Sequence, residues 1–144
     1  MAIWVRPPKQ GRWSRLVWSL GSLANLSHLL LAFHFLHDWS HSAAHAAIAR
    51  QTYEQSGLDW GGGIYINYAF CALWLFDAGF WWMSPVRYQR RSVYLDGALQ
   101  FIFLFMFFNA TVVFGKSPLR FLGGILCLVA ILGWVWNCKR AAVL

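Results

Sequence analysis

The sequence predicts an all-α membrane protein: a four-transmembrane-helix bundle whose long first helix extends beyond the outer membrane surface. Three observations carry this reading. Hydrophobic residues make up 59% of the 144-residue chain and charged residues 12%, a balance outside the ordinary soluble range. The apolar residues fall into four blocks, each close to the roughly 20 residues that a bilayer core requires. The positive charges collect between those blocks, where topology signals lie. At this length the chain is one four-span membrane domain over residues 1–144.

Residues 1–15 form a basic leader with Arg6, Lys9, Arg12 and Arg15 beside Pro7 and Pro8. Helix one is expected over about residues 16–56. Neither Gly nor Pro occurs between Ser22 and Ser56, so nothing ends the helix at the membrane surface, and Gly57 is the first plausible C-terminal stop. Thirty-five residues rising about 1.5 Å each give roughly 50 Å, against a hydrocarbon core of roughly 30 Å, so the surplus is expected to project outward. The Gly61 to Gly63 run with Trp60 makes a turn, and helix two follows over about residues 64–83. The loop Ser84 to Ser92 holds Pro85, Arg87, Arg90 and Arg91. Helix three, dense in Phe, is expected over about residues 93–114, and helix four over about residues 121–137.

The net charge of +7 comes from twelve Lys and Arg against five Asp and Glu. Nine of those positives fall on one side of the predicted bundle and three on the other, so the positive-inside rule places both termini in the cytoplasm of a multi-pass protein. The basic character therefore predicts no nucleic-acid partner. The expected partners are the lipid bilayer and other membrane-protein subunits. Cys71, Cys127 and Cys138 lie far apart with no Cys-x-x-Cys pair, against a disulfide framework or a zinc ribbon.

All five histidines lie between Ser27 and Gly57. On a continuous helix turning about 100° per residue, His34, His37, His41 and His45 fall within about 80° of one another, with Asp38 beside them. Imidazole is the commonest transition-metal ligand, i, i+4 spacing lets two rings reach one ion, and a carboxylate completes or orients a shell, so these five are the candidate metal ligands. His28 points to another face, deeper in the bilayer, and is the candidate axial ligand for a tetrapyrrole. Against both stands packing: interfacial histidines cap apolar zones, and Ser40, Ser42, Ala43, Ala44, Ala46 and Ala47 let another helix approach closely.

The string His37-Asp-Trp-Ser-His41 resembles, over five residues, the first histidine box of membrane fatty acid desaturases and hydroxylases. That resemblance implies further histidine boxes, and no histidine follows His45. Asp77 and Asp96 are the other costly residues in a bilayer, and structural ion pairs with Arg87, Arg90 or Arg91 are expected to hold them. No phosphate loop, nucleophile elbow or kinase signature occurs, so no acyl-transfer or nucleotide-dependent enzyme is indicated. The expected role is a small accessory or structural subunit of a larger membrane complex. A metal- or tetrapyrrole-binding redox or light-harvesting subunit is the first alternative, and a proton- or cation-responsive transporter the second.

Overall fold

The computed structural model describes residues 12–115 and 117–142, and within them every regular element is helical. The elements are α1 (Arg12–His37), α2 (His41–Ser56), α3 (Gly63–Met83), the short α4 (Pro85–Gln89), α5 (Val93–Phe108) running into a π-helical turn (Asn109–Val113), and α6 (Leu119–Ala142). The part of the basic leader before residue 12, and Lys116 in the last loop, lie outside the described residues. Among the described residues three helices are long and apolar enough to cross a membrane: Arg12–His37, Gly63–Met83 and Val93–Val113. The chain divides into two compact units, Gln10–Gln89 and a second that contains Arg90–Leu144.

The expected single first helix is two helices. At 26 residues and about 1.5 Å each, α1 is about 39 Å long, enough for a span but not for a projecting arm. It ends because Asp38 and Trp39 both take left-handed backbone angles, with φ of 47° and 60°, where an i−4 hydrogen bond cannot continue. The Trp39 amide returns to the Phe33 carbonyl at 3.0 Å and the Ser40 amide to the His37 carbonyl at 2.7 Å, so the end of α1 is closed by backbone bonds. Ser40 then starts α2 as its N-cap, its hydroxyl accepting from the Ala43 amide at 3.2 Å. Gly57, at φ 74°, is the C-cap of α2, its amide bonded to the Tyr53 carbonyl.

In the first unit α1 and α3 run antiparallel, which the pairs Arg15 with Trp82, Trp18 with Asp77 and Phe33 with Tyr68 establish in sequence along the helices. Without a strong hydrophobic force between helices in lipid, such a pair is held by close packing and interhelical hydrogen bonds. Both are present. Ser22 is buried against α3, and Gly21 is required where the Trp74 indole crosses α1, since a Cβ there would lie 2.7 Å from Trp74 Cζ2. The Trp82 indole donates to the Ser19 hydroxyl at 2.8 Å. Trp18 and Trp74 meet at 5.3 Å between ring centroids.

In the second unit Ser92 caps α5, accepting from the Tyr94 amide, and Asp96 sits in the first turn where the helix dipole favours a carboxylate. The π-helical turn lets the Phe114 amide reach back five residues to the Asn109 carbonyl. Arg120 at the start of α6 donates from Nε to the Val112 carbonyl at 2.7 Å and from a terminal nitrogen to that of Val113 at 3.0 Å, satisfying acceptors that the end of the turn leaves open.

The α1–α3 contact sets a contrast between two glycines. Gly21→Val is expected to displace Trp74 and lower stability by about 1–3 kcal/mol, whereas Gly79→Ala, with open space around the added Cβ, is expected to raise it by about 0.5–1 kcal/mol through helix propensity. Thermal unfolding of the two variants in detergent checks both.

Candidate functional site

The break after His37 decides the geometry of the histidine region. His34 and His37 stay on α1, while His41 and His45 begin a second helix and turn toward the start of α3. The His41 ring lies between two phenols, Nδ1 3.1 Å from the Tyr68 hydroxyl and Nε2 3.4 Å from that of Tyr65. A neutral imidazole donates from one nitrogen and accepts at the other, so one tyrosine accepts while its neighbour donates. The His45 ring lies 6.3 Å from that of Tyr65, tilted by 60°, and close over Gly61, where a Cβ would stand 2.4 Å from the imidazole and displace it.

On the α1 side, His34 Nδ1 accepts from the Trp39 indole N–H at 3.2 Å, which places the proton of the neutral ring on Nε2. His37 meets the Phe33 ring edge-on at 5.9 Å. Asp38 is the first left-handed residue of the break and is exposed. The stripe of His34, His37, Asp38, His41 and His45 expected from one continuous helix is therefore split. Among the described residues no group of three or more His, Cys, Asp or Glu side chains is placed to hold a metal ion. The five-residue histidine box falls on the break itself, His37 ending one helix and His41 opening the next.

His28 is exposed on α1. An open groove of about 370 Å³ lies along α2 and the following loop, lined by Ala46, Ala49, Arg50, Tyr53 and Asp59.

Among the described residues the most buried ionisable group is Asp77, only 4% exposed. Its Oδ2 accepts from the Trp18 indole N–H at 2.9 Å and from the Tyr88 hydroxyl at 3.0 Å. One carboxylate thus ties α1, α3 and α4. Tyr88 is held in turn by the face of Trp81, the rings stacked at 4.6 Å and 1°. The expected partners Arg87 and Arg90 are exposed and make no ion pair among the described residues. The Asp77 oxygen meets Trp18 from α1 and, from the arginine loop itself, the Tyr88 hydroxyl next to Arg87, while the Arg87 side chain is exposed. Asp96 pairs with Arg91, five residues earlier, and so closes the entry to α5.

Sequence reasoning missed Trp18, Tyr88, Tyr65 and Tyr68. The spacing of Tyr65 and Tyr68, one turn apart at the start of an apolar helix, was the available signal for the last two. No family model, curated protein or solved structure matches this chain.

Removing the clasp gives a graded test. Asp77→Leu leaves the Trp18 and Tyr88 donors without that acceptor and is expected to cost about 2–4 kcal/mol, while Asp77→Asn keeps an acceptor oxygen and is expected to cost about half as much. Equal losses for the two, measured by unfolding in detergent, would remove the hydrogen-bond account.

Proposed function

We propose that this chain is a multi-pass membrane protein serving as an accessory or structural subunit of a larger membrane complex. In this reading α1, α3, α5 with its π-helical turn, and α6 are the four spans, and both termini are cytoplasmic. The observation that carries it is how the polar groups inside the first unit are used. Asp77 binds Trp18 and Tyr88, Ser19 binds Trp82, and His41 lies between Tyr65 and Tyr68. Each of these bonds joins one helix to another, which is work of assembly rather than of turnover.

The outward surface supports the same reading. Val17, Leu20, Phe35, Leu36, Phe76 and Phe101 are all exposed, so apolar faces are left for lipid or for neighbouring helices. Helix α2 packs through His41, His45 and Ile48 on the start of α3 and exposes Ser42, Ala43, Ala46 and Arg50. Small residues there permit close approach of a partner helix outside the span.

Gentle native purification followed by mass spectrometry and metal analysis tests the role. Partner proteins at constant ratio are expected; an isolated homo-oligomer that carries ion flux in liposomes, or one metal ion per chain, sinks the proposal. For topology, Gln55→Cys is expected to react with a membrane-impermeant thiol reagent only from the outside, and labelling from the cytoplasmic side reverses the orientation.

A further inference from the structure

In the first unit the exposed carboxylates and three of the four arginines lie at opposite ends, the fourth, Arg50, being on α2. The exposed acidic residues, Asp38, Glu54 and Asp59, belong to the break, α2 and the following loop. The opposite end, where α1 begins and α3 closes, carries Arg12, Arg15 and Arg87, and its one carboxylate, Asp77, is buried beneath Trp18 and Tyr88. Because Trp18 and Tyr88 bind the same oxygen, the start of α1 and the short α4 are brought to one place. Arg15 lies one turn before Trp18 and Arg12 two, while Arg87 adjoins Tyr88.

The setting of these guanidinium groups matches a headgroup layer. Arg15 lies over the Trp82 ring, Cζ 4.8 Å from the centroid, and that ring is fixed by its bond to Ser19. Stacking uses the face of a guanidinium and leaves its N–H edges free for a phosphate. Arg12 and Arg87 are exposed and make no ion pair among the described residues. Around them Trp13 is 80% exposed and Met83 84%, with Val86 also outward. Aromatic and apolar side chains presented to the outside beside arginines suit the depth where lipid phosphates lie.

We propose that Arg12, Arg15 and Arg87 form a binding site for the phosphate of anionic phospholipid headgroups, at the end of the α1–α3 pair where α1 begins. The site rests on the reading of the chain as membrane-embedded. Each arginine facing an anionic leaflet strengthens binding about fivefold.

The test uses the full chain reconstituted in bilayers of phosphatidylcholine mixed with phosphatidylglycerol, and reads the ratio of the two lipids retained on the protein by native mass spectrometry. Wild type is expected to enrich phosphatidylglycerol. Arg12→Gln and Arg87→Gln are each expected to reduce that enrichment about fivefold, and the double variant about twenty-fivefold. Neither residue contacts the helix interface, so these variants keep the fold that Arg15→Gln disturbs through Trp82. Arg50→Gln, at the other end, is expected to leave the ratio unchanged. Enrichment that survives the double variant, or falls equally with Arg50→Gln, overturns the site while the membrane reading stands. Displacement of the bound lipid by excess inorganic phosphate identifies a soluble anion as the ligand and overturns the lipid assignment. A chain that fails to enter the bilayers overturns the membrane reading and the site with it.

Discussion

The carboxylate of Asp77 is the constraint on which the first unit depends. A charged or polar group within a span is costly unless bonded, and here two donors from other helices meet it. Trp18 approaches from α1 and Tyr88 from α4, so the same oxygen that must be satisfied becomes the point where three helices are fixed. The tryptophans complete the contact around it. Trp74 crosses at Gly21 and Trp81 stacks on Tyr88, so large rings fill the space, while the N–H groups of Trp18 and Trp82 supply the directionality that dispersion alone lacks.

A second constraint sets the other end. Asp38 and Trp39 turn the chain out of α1, and α2 sets His41 against Tyr65 and Tyr68 and His45 against Tyr65. Left-handed backbone at two non-glycine residues costs of order 1–3 kcal/mol each. It persists because the surroundings hold it: the Trp39 amide bonds Phe33, its indole bonds His34, and Ser40 caps the next helix. The histidines that look like one ligand set along a continuous helix are thereby divided, His34 and His37 among the aromatic rings at the end of α1 and His41 and His45 on the tyrosines of α3.

The two ends of the first unit therefore differ in chemistry. One presents phenols, imidazoles and exposed carboxylates, the other guanidinium groups beside tryptophan. Apolar helices by themselves have no preferred direction across a bilayer, and charge asymmetry between two ends supplies one. The second unit uses a more local logic, with Arg91 on Asp96 and Arg120 on the carbonyls of the π-helical turn, each closing a helix end near its own place in the chain.

What the sequence by itself determined is what depends on near neighbours and on composition. Apolar blocks of bilayer length made the helices, Gly57 stopped α2, and Asp96 found Arg91 only five residues away. The N-cap at Ser40 was not read from the sequence, because no Gly or Pro between Ser22 and Ser56 marks the break. What only the tertiary structure decided involves residues far apart in the chain. Trp18 lies 59 residues from Asp77 and His41 27 residues from Tyr68. Such pairs follow from how α1, α2 and α3 pack, and helical periodicity specifies which residues share a face but not which helix that face will meet. For that reason the arginines near Asp77 in sequence were its expected partners, while the Trp18 indole that packing brings from α1, 59 residues away, joins Tyr88 of the arginine loop in binding it.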